Sequence, residues 1–322
     1  MCGIMGYFDK TGRRDAELGM TMLRMLTALG RRGPDSAGVA LYARRADGAY
    51  RVRVKLGEHG DLQERAAAVL QCIRALATIY EHEHTEEYLR LALDFTGDPQ
   101  ALQARIEAVH PEIEVISCGR ALDLVKQVGS PHNLDGRFGI ARASGTHAIA
   151  HTRLSTESRI DLSHSQPFWA HGVLDVAFAH NGHITNYHKL RRQYEQRGVR
   201  FYTDNDSELI GIYLSEVLRT GATFAEALCR SVQFFDGSFS YLAATESELG
   251  FAKDPFGFKP LIVAEADEFV AIATEEVALR AAFGEEVETW EPLAGTVQTW
   301  NVLTSQAISS PHGLTAPKVL AS

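Results

Sequence analysis

Cysteine is scarce in this chain: there are four, Cys2, Cys72, Cys118 and Cys229, far apart in sequence. No CxxC pair points to zinc, and the spacing does not suggest a disulfide framework. A reducing cytoplasm is therefore the expected compartment. Positive charge is also in deficit. Lysine and arginine number 32 against 41 acidic residues, a net charge of −9, which argues against nucleic acid or an anionic membrane as the main partner. No run of ~20 apolar residues occurs, so no membrane-spanning helix is expected. The N-terminus has neither a basic start nor a long apolar stretch and does not read as a signal peptide. What remains is a globular chain, 45% apolar over 322 residues, long enough for one large or two ordinary domains.

The second residue of "MCGIMGYFDK" is where the chemistry starts. If Met1 is removed, Cys2 carries both a thiol and a free α-amine. A free thiol titrates at about 8.5 and an α-amine at about 7.7–8.0. Part of the amine is then neutral near pH 7 and can act as base for its own sulfur, directly or through one water. The plainer alternative is a small residue buried in an N-terminal strand.

Along the chain, residues 1–8 read as a strand, and Leu18, Met22, Met25, Leu26 and Leu29 fall at helical spacing. "RRGPDSAGVALY" turns into a second strand, and "YRVRVKLG" is expected to pair with it as a hairpin. The stretch from about 58 to 110 is rich in helix formers. Val69, Ile73, Leu76 and Ile79 fall there at spacings of three and four, predicting one helical face to bury. "EIEVISC" reads as a strand, and residues 137–181 and 231–300 as short apolar strands between Gly, Asp and Pro. From 303 to 322 the chain is mostly small and polar, and a tail is expected. Strands at both ends around a helical middle predict an α+β domain, residues 2–302, interrupted by a mainly helical insertion at 58–136.

Several short motifs carry polar chemistry. In "HTRLSTES", Arg153 offers a planar fork suited to a carboxylate, and Thr156 adds a hydroxyl. A surface arginine after a strand is the alternative. In "VAFAHNGHITN", the Asn181 amide and the Gly182 N–H give two neutral donors, as a developing oxyanion requires; an Asn-Gly turn is the alternative. Asp204, Asn205 and Asp206 precede a helical pattern. One is expected to be its N-cap, and another could hold a substrate ammonium. "AKDPFGFKPL" reads as a hairpin lining a site, with Lys259 before Pro260. His82 and His84 lack a third placed ligand and are expected on a solvated helix face, so no metal site is assigned.

These pieces occur in a fixed order: "CGI", "RRGPDSAG", "HTRLST", "SQPF", "HNGHITN", "DNDSE", "DGSFSYL" and "DPFGFKPL". The chain thereby resembles the glutaminase domain of class II glutamine amidotransferases, the N-terminal-nucleophile group, over residues 1–57 and 137–300. Amidophosphoribosyltransferase, glucosamine-6-phosphate synthase and glutamate synthase carry that domain. The resemblance implies a four-layer αββα sandwich of two antiparallel sheets. It implies Cys2 as nucleophile through a thioester, Asn181 and Gly182 as oxyanion hole, Arg153 on the substrate α-carboxylate, Thr156 as a further contact and Asp206 on the α-ammonium. Arg32 and Asp35 match positions that brace the nucleophile strand. Leu154 stands where several relatives have an aromatic, and residues 58–136 have no counterpart in the simplest relatives.

No synthase region is recognised after the glutaminase motifs, so the ammonia acceptor is expected on another polypeptide. By resemblance the nearest subfamily is the amidotransferase subunit of the N-methylglutamate synthase group. That would imply glutamate-synthase-like partner subunits carrying flavin and an iron–sulfur cluster, with no cofactor in this chain. The function so expected is glutamine hydrolysis with ammonia passed to a partner. The rivals are a free-standing γ-glutamyl amidohydrolase and a degenerate structural subunit.

Overall fold

Residues 3–9 alternate between two buried faces, with Ile4 and Phe8 on one and Met5 and Tyr7 on the other. A strand buried on both faces needs a layer on each side. The computed structural model of the chain, which describes residues 2–43, 47–155 and 159–309, supplies them. Its first elements are Gly3–Asp9 (β1), Leu18–Ala28 (α1) and Ser36–Tyr42 (β2). Next come Tyr50–Lys55 (β3), Leu62–Arg74 (α2), Thr78–Thr85 (β4), Tyr88–Asp94 (β5), Pro99–Glu107 (α3), Glu114–Gly119 (β6), Leu122–Val128 (β7) and His132–Phe138 (α4). His147–Arg153 (β8), Phe168–Trp169 (β9), Ala177–Ile184 (β10), Tyr187–Gln196 (α5), Glu208–Arg219 (α6) and Phe224–Phe234 (α7) follow. The last are Gly237–Ala244 (β11), Glu248–Lys253 (β12), Ile262–Glu265 (β13), Phe269–Ala273 (β14), Glu276–Phe283 (α8), Val297–Asn301 (β15) and Ala307–Ser309 (β16).

Two six-stranded antiparallel sheets form the body, in the orders β13-β14-β1-β8-β2-β7 and β16-β15-β12-β11-β10-β9. Ile4, Phe8, Ile149 and Ile272 of the first meet Ala179, Leu242, Phe251 and Trp300 of the second in one core. The outer face of the first sheet, with Met5, Tyr7 and Ala150, is covered by Met22 and Met25 of α1 and Leu279 of α8. The outer face of the second, with Phe178 and Tyr241, is covered by Leu190 of α5, Leu214 of α6 and Leu228 of α7. The layers are therefore αββα, as expected. α1 also holds Leu18, Met22, Met25 and Leu26 inward, as its spacing predicted. No helix among the described residues is long and apolar enough to cross a membrane.

Several local expectations are corrected. β3 does not pair with β2, whose neighbours are β8 and β7. It lies instead in a third sheet, β4-β5-β3-β6. β2 is buried on both faces, with Ala40 and Tyr42 on one and Ala37, Val39 and Leu41 on the other, whereas β3 alternates Val52 and Val54 with Arg51, Arg53 and Lys55. Those cations find Asp47, Asp123 and Ser163. The stretch expected as mainly helical is mixed. Helices α2 and α3 flank the β4–β5 hairpin, in which Tyr88, Leu89, Leu91, Ala92 and Leu93 are buried and Glu86 turns at φ 50°. Short runs of β-formers outweighed the surrounding helix propensity there. His82 and His84 accordingly lie on an exposed strand, not a helix. Ordered structure also continues beyond Val302, where β16 pairs with β15, while residues 310–322 lie outside the described set.

The apolar residues of the insertion join the inter-sheet core rather than forming an independent one. Val69, Ile73, Leu102 and Ile106 cluster with Val54, Leu91 and Val115. The face predicted from 69 to 79 is thus half right: Val69 and Ile73 are buried, Leu76 is 37% exposed and Ile79 belongs to β4. Ile73→Ala should therefore cost about 2–5 kcal/mol and Leu76→Ala less than about 0.5 kcal/mol, measured by denaturant unfolding. Equal losses at both positions would contradict this packing.

Candidate active site

Cys2 precedes β1, which lies between β8 and β14. The register Gly3↔Thr152 brings it to the end of β8, beside Arg153. Its own strand is fastened just downstream: Ile4 N donates to Thr274 Oγ1 at 2.8 Å, and Thr274 N to Ile4 O at 2.9 Å. The Cys2 carbonyl is held from two directions, by Arg32 Nε at 3.2 Å and by Asn181 Nδ2 at 3.2 Å. Arg32 is held in turn by an ion pair with Glu275. The thiol points at Leu154 O, 3.6 Å away.

The turn at 31–35 fits against β8 because it contains Gly33. A Cβ there would lie 2.4 Å from Arg153 N. Asp35 N donates to Arg153 O at 3.0 Å, and Asp35 Oδ2 accepts from Ser155 N at 2.7 Å. Arg32 therefore braces Cys2 itself, whereas the contacts of Asp35 are to the strand end that carries Arg153. The Arg153 guanidinium donates to Arg159 O at 2.8 Å and to Ser155 Oγ at 3.4 Å. Burial lowers its pKa, and the acidic groups Asp161, Asp35 and Asp204 oppose that shift.

Asn181 and Gly182 lie in β10, opposite Ser240 and Phe239. Gly182 has φ 142°, and a Cβ would sit 2.2 Å from Ser238 O, so only glycine fits. Asp206 stands just before α6. Its Oδ2 accepts from Ile184 N at 2.7 Å, tying it to the end of β10. None of Asp204, Asn205 and Asp206 is the helix cap. Ser207 holds that position without a side-chain cap bond, and Asn205 Oδ1 accepts from Ser207 N at 3.1 Å. Capping therefore does not use the Asp206 carboxylate.

Cys2, Arg153, Asn181, Gly182, Asp206 and Lys259 all line one cavity of about 870 Å³. Thr156 lies outside the described residues. Sequence reasoning missed the polar support around this group. Gln166, inside the "SQPF" motif, accepts from His180 N at 2.7 Å and donates to Ser207 Oγ at 3.2 Å. His180 meets Ser207 Oγ at 2.7 Å, and burial keeps its pKa below the ordinary histidine value. The motif marked that segment as significant, but without a fold nothing in it said what the glutamine touches. His164 gave no signal, because its two partners lie three and forty residues away.

A family profile described as a glutamine amidotransferase domain matches residues 151–281. A protein of Methanothermobacter thermautotrophicus with a provisional glutamine amidotransferase designation is 35% identical over 309 residues, covering 94% of this chain and 100% of its own length. The glutamine amidotransferase-like protein GlxB of Rhizobium meliloti is 31% identical over 94% of this chain and 98% of its own. Among solved structures, a glutamine phosphoribosylpyrophosphate amidotransferase from B. subtilis shares the fold at TM-score 0.62 and 18% identity. That match covers 97% of this chain and 50% of the other. With the αββα layers and two near full-length relatives in hand, the chain belongs to the class II glutamine amidotransferases, a family that draws nitrogen from the amide of glutamine.

Proposed function

We propose that this chain is a glutaminase subunit that hydrolyses the side-chain amide of glutamine and supplies ammonia to a separate, glutamate-synthase-like partner in the cytoplasm. The observation that carries this reading is convergence. Segments around residues 2, 153, 181 and 206 place a thiol, a guanidinium, a side-chain amide with a glycine N–H, and a carboxylate on one cavity. The Arg153 fork would take the α-carboxylate of glutamine and Asp206 its α-ammonium. With Met1 removed, the Cys2 amine accepts the thiol proton and the sulfur adds to the δ-carbon. The Asn181 amide and Gly182 N–H receive the oxyanion. The C–N bond then breaks, ammonia leaves with the proton held by the amine, and a thioester remains. Water, deprotonated by the same amine, cleaves that thioester to glutamate and free thiol. A relative of matching length, GlxB, supports a glutaminase unit carried on its own chain. Flavin and an iron–sulfur cluster would belong to the partner.

Cys2→Ala should abolish glutamine hydrolysis and leave folding intact. An electrophilic glutamine analogue should add its mass to the N-terminal peptide. Cys118 is buried and its thiol is pushed up by burial, so it should stay unlabelled. Labelling at Cys72, Cys118 or Cys229 in place of Cys2 would overturn the assignment, as would an active protein that retains Met1 by intact mass. A substrate screen separates glutamine from larger γ-glutamyl amides.

Asn181→Ala should lower kcat about a hundredfold or more while KM moves far less, because its donor matters most as negative charge develops. A pure KM effect would reduce Asn181 to a wall of the cavity. Arg153→Lys keeps the charge but loses the fork, and KM should rise by a factor equivalent to about 2–5 kcal/mol. An unchanged KM would assign Arg153 to bracing alone.

A further inference from the structure

Residues 159–166 run between the two ends of the proposed glutamine clamp. At one end Arg159 O accepts from Arg153 Nη1 at 2.8 Å. Two residues on, Asp161 Oδ1 meets His164 Nδ1 at 2.6 Å and accepts from His164 N at 2.9 Å. His164 Nε2 meets Asp204 Oδ1 at 2.6 Å, and Asp204 is two residues before Asp206. A neutral imidazole has a single N–H and can donate to only one carboxylate. Both ring nitrogens here face carboxylate oxygens at the same short distance, so an imidazolium donating twice satisfies the arrangement. Burial opposes that charge, but hydrogen bonds and attraction from Asp161 and Asp204 outweigh it and raise the His164 pKa above the ordinary 6.5. Asp161 and Asp204 are lowered correspondingly.

The surrounding charges are mixed. Arg159 Nε lies 3.7 Å from Asp161. Lys55 of β3 donates to Ser163 Oγ at 2.6 Å and lies 3.7 Å from Glu58 and 3.8 Å from Glu114 of β6. Lys126 of β7 donates to Ser165 O at 3.0 Å, its pKa pushed down to about 8 by burial. Asp161 and Asp204 act on Arg153 of β8, Arg191 of α5 acts on Asp204, and Glu208 of α6 acts on Lys126. The third sheet and β7 thus hold the segment from behind, while His164 ties its front to Asp204 in the turn before α6, alongside the longer Gln166–Ser207 bond at the helix start.

We propose that His164 is a positioning residue of this site, a strap that fixes the separation of Arg153 and Asp206 and thereby sets glutamine affinity from outside the cavity. This rests on the reading of Arg153 and Asp206 as the amino-acid clamp. The sign with pH follows. A group whose folded pKa is raised keeps its contribution below the unfolded value and loses it as pH rises through the folded value. Glutamine KM should therefore climb with alkalinity, separately from the Cys2 chemistry that governs kcat.

The test uses the full chain and its His164→Gln and Asp204→Asn variants. Glutaminase kinetics are measured between about pH 6 and about pH 9, together with NMR titration of the histidine side chains. His164→Gln should raise KM about fivefold at the acid end, hold kcat within about twofold and flatten the KM–pH curve. Asp204→Asn should raise KM likewise and lower the His164 midpoint. A His164 midpoint at or below 6.5 in the wild type overturns the strap. So does a variant with wild-type KM at every pH, or one that loses kcat alone. If the wild-type chain does not hydrolyse glutamine, the clamp reading fails instead, and the midpoint still decides whether the bridge is charged.

Discussion

The amide of Asn181 reaches across from one sheet to the carbonyl of Cys2 on the other, and the geometry of the site depends on that crossing. Each sheet is fixed in register by strands buried on both faces, where a slip of one residue would exchange the faces. Cys2 and Arg153 are adjacent because Gly3 pairs with Thr152. Asn181 and Gly182 are placed by their pairing with Ser240 and Phe239. The relative position of Cys2 and the Asn181–Gly182 pair is thus set by the packing of Ile4, Ile149, Leu242 and Phe251 between the sheets. Donors fixed in this way need no reorganisation when charge develops.

What the sequence disclosed, and what it did not, follows the range of the interactions. α1 was legible because a helical stripe is a local signal, and its apolar residues are the buried ones. That Cys2, Arg153, Asn181, Gly182 and Asp206 would meet at one cavity was legible because eight motifs occur in a fixed order. The partner of β3 was not legible, since adjacent strands pair by default, whereas β3 pairs with β5 and β6 from much further along the chain. The β4–β5 hairpin was hidden by flanking helices whose propensity dominates any window that includes them. That Asp206 does not cap the helix was hidden for a different reason: three polar residues before a helix look alike until the backbone shows that Ser207 takes the cap position.

Two strands of the third sheet and β7 of the first reach one side of the cavity together. Lys55, Glu114 and Lys126 come from β3, β6 and β7, and all three reach the segment that includes Ser163 and Ser165. Buried cations and acids of this kind contribute little net stability unless every one is paired. Here they form a polar floor under one wall of the site. Force or strain applied to the insertion from outside would reach that wall through short, charged contacts.

The bond from Ile4 N to Thr274 Oγ1 joins residues 270 positions apart, and this has a consequence during synthesis. On a ribosome adding about 5–20 residues per second, β1 lacks its β14 neighbour for about 14 to about 55 seconds after it emerges. Under the proposed mechanism, the trimming that would free the Cys2 amine could then proceed while the strand is still unburied. The cavity that the proposed reaction requires likewise forms only after β14 has paired with β1, so in that proposal maturation would precede activity as a result of one long-range pairing.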